Sequence, residues 1–329
     1  MFGFDKITDL TPLAGLVHLK KLGLESSQVS DLAPLKGLTQ LRQLWVYHNK
    51  ISDLSPLAGM KRLEVLVIDS NQVSDLRPLS GLKSLTRLSL SFNQVSDLSP
   101  LKGLIGLRKL ELGHNKVNDL SPLRGAIQLA ELEFDGNQVS DLNPLRGMKQ
   151  LKVLGAWNNQ LADLEPLAGL VKLGDLTLRD NHITNINPLR GMVRLTKLNL
   201  ISNQITDFSP LSGMSRLTSL RIDQNRINNL SVLNNFNELK TLGLNGNQLR
   251  DINGLKGLGK LRKLDLSNNP LRDISPVLVM TNLFELRLQA TKVTDICPLR
   301  GLSKLRKLDV RFNRTSDADC LSESVRISN

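Results

Sequence analysis

A 22-residue spacing constrains this chain more than any property of its composition. Asparagine stands at Asn49, Asn71, Asn93, Asn115, Asn137, Asn159, Asn181, Asn203, Asn225, Asn247, Asn269 and Asn313, all in one register. Ser27 and Thr291 fill the same slot in two further repeats, and no insertion or deletion breaks the register between Ser27 and Asn313. Fourteen units of one length cannot each bury a core alone, so they must stack on their neighbours. Composition agrees: hydrophobic residues make up 40% of the chain but aromatic ones only 3%. The core is therefore read as thin, aliphatic and spread along the chain.

Each unit follows the pattern L-x-x-L-x-L-x-x-N-x-[VI]-x-D-L-x-P-L-x-G-L-x-x, seen cleanly at Leu85, Leu88, Leu90, Asn93, Val95, Asp97, Leu98, Pro100, Leu101, Gly103 and Leu104. Leu88-Ser89-Leu90 alternates apolar and polar residues, which predicts a short strand with its leucines turned inward. Asp97, with Pro100 three residues on, suits the cap of a short 3₁₀ turn. The recurring asparagine is expected to bond backbone groups of neighbouring coils where the strands end.

These residues resemble the leucine-rich repeat family, in its 22-residue class. The stretch Asn-Gln-Val-Ser-Asp-Leu-Ser-Pro-Leu at 93–101 is similar to bacterial internalins, and the repeat also resembles that of phosphatase regulators. The resemblance covers nearly the whole chain. It implies an α/β repeat solenoid: a right-handed horseshoe with a concave parallel β-sheet and short 3₁₀ or irregular turns on the convex side. Residues 1–18 are then a partial N-terminal repeat lacking a full cap, with Met1 to Asp5 entering partway through a strand. Residues 19–314 are the fourteen repeats and 315–329 a C-terminal cap or tail. Cys297 plus 22 falls one residue short of Cys320, close enough for a disulfide, the alternative being two unrelated thiols.

No stretch approaches the roughly 18 to 20 consecutive apolar residues of a membrane helix. The net charge of +12 raises nucleic acid as a partner. Around the two strand leucines, however, ten basic residues (Lys21, Arg87, Lys109, Arg179, Lys197, Arg221, Lys263, Arg287, Lys307, Arg311) face twelve acids (Glu25, Asp69, Glu111, Glu131, Glu133, Asp135, Asp175, Asp180, Asp223, Asp265, Glu285, Asp309). That face is no basic groove, and the positive charge is assigned to the edge before the strands. Nucleic acid, cofactors and metals are not expected. The sequons Asn229-Leu-Ser231 and Asn313-Arg-Thr315 both read as structural ladder positions and hence poor acceptors.

Register separates core rings from displayed ones. Phe134, Phe208 and Phe236 take leucine slots, whereas Trp45, Tyr47, Phe92, Trp157 and Phe312 take slots on the concave face. Trp45 and Tyr47, with Val65 and Val67 on the next coil, predict an apolar patch. Phe92 and His114 lead into Glu111, Glu131, Glu133 and Asp135, and then to Trp157. Large rings beside carboxylates suit a partner that presents hydrophobic and basic side chains. Ser91, His114 and Asp135 line up superficially as a triad, but the pattern supplies no nucleophile elbow or oxyanion donors.

The resulting expectation is a non-enzymatic, monomeric interaction module holding a protein partner on the concave face. The internalin resemblance implies adhesion or partner recognition and a secreted or bacterial-surface setting. Alternatives are an intracellular adaptor or regulatory subunit of an enzyme, or a consensus-like engineered scaffold. An uncapped N-terminal end could pair with another copy.

Overall fold

The computed structural model describes residues 8–315, 320–322 and 324–328. It divides into two compact units, Met1–Leu170 and Val171–Asn329. The first holds the strands Lys21–Gly23 (β1), Gln43–Trp45 (β2), Val65–Val67 (β3), Arg87–Ser89 (β4), Lys109–Glu111 (β5), Glu131–Glu133 (β6) and Val153–Gly155 (β7). Each pairs in parallel with the next at a register shift of 22, so Leu44 lies beside Leu66 and Leu88 beside Leu110. The central leucine is buried from β2 to β7, and its two flanking residues form the open face of the sheet.

Strands stay three residues long because the chain turns sharply three residues beyond each one. His48, Ser70, Phe92 and His114 adopt left-handed backbone with φ of 54–57°, and Gly136 takes the same slot at +62°. The ladder asparagine follows at once and ties two coils together. Asn71 Nδ2 donates to the carbonyls of Val46, Ile68 and Asp69 at 2.9–3.1 Å, while its Oδ1 accepts from the Ile51 N–H at 2.9 Å. Removing such a side chain would leave buried backbone groups unmet, at about 1–3 kcal/mol each.

On the other side, each coil makes a 3₁₀ turn such as Ser99–Leu101, whose second position is fixed by proline in all but Ser231–Asn235 and Asn253–Leu255 among the described turns. The repeating aspartate acts one residue earlier than a cap would: Leu98 occupies the cap position, and Asp97 Oδ1 accepts from the Ser99 N–H at 2.8 Å. This side-chain turn recurs from Asp9 to Asp295, with Asn185 and Asn229 standing in for aspartate. Asn229 is therefore an exposed turn residue rather than a ladder residue, which corrects the reading of that sequon.

The second unit repeats the plan with Asp175–Thr177 (β8), Lys197–Asn199 (β9), Ser219–Arg221 (β10), Thr241–Gly243 (β11), Lys263–Asp265 (β12), Glu285–Arg287 (β13), Lys307–Asp309 (β14) and Arg326–Ser328 (β15). All are parallel in register, and β15 continues the sheet from β14. Cys297 and Cys320 form a disulfide with Cα atoms 5.4 Å apart, fastening the chain just before β15. Phe134, Phe208 and Phe236 are buried among the leucines as their slots require. Each unit is thus a leucine-rich-repeat solenoid segment: one parallel sheet, a thin aliphatic core and 3₁₀ turns opposite. Met1 to Asp5 and Asp317 lie outside the described residues.

Candidate functional site

The open face of the first unit is a lattice of three columns, each stepping about 4.8 Å from one coil to the next. Gln43, Val65, Arg87, Lys109, Glu131 and Val153 form one, and Trp45, Val67, Ser89, Glu111, Glu133 and Gly155 the next. Tyr47, Asp69, Ser91, Gly113, Asp135 and Trp157 continue it past the strands. Register therefore puts Glu111 beside Glu133 and Lys109 beside Glu131.

The acidic cluster is partly neutralised from one side. Lys109 Nζ sits 2.8 Å from Glu131 and 3.3 Å from Glu111, and Arg87 reaches Glu111 at 3.2 Å. Burial pulls the Lys109 pKa down, but the Glu131 and Glu111 carboxylates outweigh it and the net shift is upward. Glu133 makes no ion pair among the described residues. Burial raises its pKa, Glu111 and Asp135 raise it further, and Lys109 opposes them. Asp69 is raised chiefly by burial as well, although the Ser89 hydroxyl and Ser91 N–H both donate to its Oδ1 at 2.6 Å. A half-buried carboxylate held near others and short of cations is a place where an incoming ammonium or guanidinium gains most.

The rings meet differently from the sequence expectation. Phe92 and His114 do not lie on the strands; they occupy the left-handed turn positions at the edge where the strands end. The Phe92 ring stacks on His114 at 4.3 Å between centroids, and His114 meets the Trp157 ring edge-on at 5.2 Å. Trp157 is two coils beyond His114, and the intervening slot is Gly136. A β-carbon there would sit 2.8 Å from His114 Nδ1 and force the ring away. Asp135 Oδ1 fixes the backbone below by accepting the Trp157 N–H at 2.8 Å. The result is one continuous aromatic row at the edge where the strands carrying Glu111 and Glu133 end, with Phe92 56% exposed.

Trp45 and Tyr47 are half-buried on β2 and just beyond it, but the patch they build is smaller than expected. Val67 pairs with Trp45 and is only 6% exposed, while Val65 pairs with Gln43 rather than with a ring. Tyr47 packs edge-on against His48 at 5.6 Å, and a hydrogen bond to Glu25 raises its hydroxyl pKa. Phe312, 79% exposed, also lies in a left-handed turn position rather than on a strand. The superficial triad does not assemble around a reacting atom: the His114 ring is engaged by Phe92 and Trp157, and Ser91 supports Asp69. Among the described residues no group of three or more His, Cys, Asp or Glu is arranged to hold a metal ion.

Sequence reasoning missed the glycines. Gly136 leaves room for the His114 ring, and Gly113 and Gly155 leave gaps beside Ser91 and beside the Glu133 and Asp135 side chains, in slots where most coils carry a side chain. Aligning the columns would have shown those gaps. It also missed how the charge divides between the units. Residues 1–170 carry 19 Lys and Arg against 17 Asp and Glu, whereas residues 171–329 carry 24 against 14.

The family described as leucine rich repeats (2 copies) matches residues 17–59, 39–82, 61–103, 83–125, 149–191 and 237–279, more than half of the chain. Among solved structures, an internalin (InlF) from Listeria monocytogenes is 35% identical with a TM-score of 0.87, over 90% of this chain and 88% of that one. A leucine-rich repeat protein of Leptospira interrogans is 25% identical with a TM-score of 0.87, over 96% and 86%. The functional domain of InlJ from Listeria monocytogenes, at 21% identity and a TM-score of 0.78 over 95% and 73%, is alike in fold. A search of curated proteins gives no match. Among the described residues no helix is long and apolar enough to cross a membrane.

Proposed function

Because the chain belongs to the leucine-rich repeat family and is internalin-like in sequence and fold, we propose that the open face of its first unit binds a protein partner presenting basic side chains beside apolar ones. Leucine-rich repeat proteins are protein–protein interaction modules and typically not enzymes. The observation that carries the proposal is the row Phe92–His114–Trp157 at the edge where the strands carrying Glu111 and Glu133 end, with Asp135 accepting the Trp157 N–H. Rings give area and the carboxylates give sign, so an Arg or Lys flanked by apolar residues satisfies both. Trp45 and Tyr47 form a second anchor on the same face. Stacked coils hold these groups in place before binding, so little ordering entropy is lost. The Cys297–Cys320 disulfide supports adhesion or recognition in an oxidising compartment over a cytosolic adaptor role.

Selection from a displayed random peptide library tests this. Selected peptides should combine Arg or Lys with apolar residues. Trp45→Ala, Tyr47→Ala and Trp157→Ala should each weaken them by at least about 1 kcal/mol, with far-ultraviolet circular dichroism unchanged. Normal binding by all three variants would remove the proposed footprint.

A further inference from the structure

The open face of the second unit carries charges sorted by depth. The carboxylates Asp223, Asp265 and Glu285 lie at the floor, with side chains 4%, 15% and 12% exposed. Above them stand Arg221, Lys263 and Arg287, at 40%, 59% and 53%. Each cation is held from below. Arg221 Nε donates to Asp223 Oδ2 at 2.7 Å, and Asp223 is itself anchored by the Asn245 N–H at 3.1 Å. Arg287 is held between Glu285 at 2.6 Å and Asp265 at 3.7 Å, and Lys263 lies 3.9 Å from Glu285. A guanidinium has five donors, and Asp223 engages only the Nε of Arg221, so outward donors remain for a ligand.

Between these cations one side chain is missing. Register sets Arg221, Gly243, Asp265 and Arg287 in a single row across β10 to β13. A β-carbon at Gly243 would collide with Asp223 Oδ2 and Arg221 Nε, so glycine is required for that pair to fold across the sheet. The gap leaves an opening of about 250 Å³ lined by the cations Arg221, Lys263 and Arg287, the carboxylates Asp265 and Glu285, and Thr241 and Gly243 beside two core leucines. We propose that this opening binds an anionic group, the carboxylate or phosphate of a ligand, between the outward edges of Arg221, Lys263 and Arg287. The terminal nitrogens of Arg221, held through Nε, form a fork that matches planar or tetrahedral oxyanions, and Arg287 adds the outward hydrogens of nitrogens already facing Asp265 and Glu285. The excess of 24 basic over 14 acidic residues in 171–329 favours approach of an anion. This site is independent of the first unit's face: different residues, the opposite sign of ligand, and no tryptophan or tyrosine.

A fluorescein-labelled peptide of alternating Glu and Gly, titrated with the whole protein at low ionic strength, tests the proposal. Saturable binding is expected, weakening as salt rises. Arg287→Ala and Arg221→Ala should each weaken it at least tenfold while far-ultraviolet circular dichroism at the assay temperature stays unchanged, even though stripping Glu285 or Asp223 of its partner lowers the melting temperature. Gly243→Ala should do the same by crowding the opening; should it fail to fold, the two arginine variants still decide. Lys240→Ala/Arg262→Ala, on the edge before the strands, should change affinity less than twofold, and Trp157→Ala should have no effect. Competition with inorganic phosphate and with acetate identifies the ligand chemistry: displacement by phosphate alone indicates a phosphate group, by both a carboxylate. Absence of saturable binding, or equal loss in the Lys240/Arg262 variant, would overturn the site in favour of diffuse charge.

Discussion

The two units repeat the same backbone plan and display different chemistry on it. On the first, three cations (Lys21, Arg87, Lys109) stand against six acids, with both tryptophans and the tyrosine beside them. On the second, eight cations from Arg179 to Arg326 stand against six acids, with no Trp or Tyr, and at Arg221, Lys263 and Arg287 the carboxylates lie beneath the cations. Summed over the whole chain these faces nearly cancel, which hides the division. The difference teaches that in a solenoid the inward leucines and the asparagine ladder specify the frame, whereas identity at the flanking columns is free to vary. Function then depends on which unit is considered, and on the height of a charge as well as its presence.

That separation of frame from display can be broken most forcefully at the core. Phe134 in the first unit and Phe236 in the second are both fully buried in leucine slots. Phe134→Ala and Phe236→Ala should each cost about 3–5 kcal/mol, measured by urea unfolding followed by circular dichroism. Equal losses would show that the frame is equally demanding in both units. A much smaller loss in one would mean that its coils collapse around the cavity and that the lattice is not shared in energetic terms.

A sharper contrast comes from equivalent glycines. Gly136 and Gly246 occupy the same slot, with φ of +62° and +64°. Alanine at either position should cost about 1–2 kcal/mol from left-handed backbone. The consequences for binding should differ. A β-carbon at Gly136 meets His114 Nδ1 at 2.8 Å, whereas at Gly246 it meets Gln224 Cγ at 3.3 Å. Only Gly136→Ala should then weaken the basic, apolar peptides selected on the first unit, while Gly246→Ala leaves them unchanged. Equal effects on binding would mean that the aromatic row is not part of the recognition surface.

These cases mark what was legible in the sequence. The fold was readable because the period is unbroken: stacking, strand position and ladder all follow from Ser27 to Asn313. Trp45, Tyr47 and Trp157 could be placed on the open face by register alone. Phe92 and His114 could not, because the left-handed turn that carries them to the edge is a property of backbone dihedrals that both polar and apolar residues adopt here. Nor could the sequence show that Val67 is covered, or that Glu285 lies beneath Lys263. Period-two alternation assigns a side to each residue but says nothing about how deeply its charged end is seated. Asn229 was misplaced for a simpler reason: it sits in the aspartate slot, four residues past the ladder.

The smallest expected effect concerns pH, and it distinguishes binding from folding. Glu133 has its pKa raised by burial and by Glu111 and Asp135. A carboxyl raised in the folded state favours the fold as pH falls through that value, yet loses the charge a basic partner needs. The turn aspartates have the opposite sign. Asp97 and Asp119 are lowered by hydrogen bonds from the Ser99 and Ser121 side chains and backbone, so their contribution is complete above 3.8 and lost only as pH falls through the lowered values. Between the raised Glu133 value and 3.8 the first unit should remain folded with its recognition charge weakened. Titration of a selected basic peptide from pH 7 to pH 4 should therefore show affinity falling, by less than about tenfold, while circular dichroism stays constant. Glu133→Gln should weaken binding at pH 7 and flatten the profile. If peptide release instead coincided with loss of the circular dichroism signal, the pH response would belong to the frame that both units share and not to the acidic face of the first.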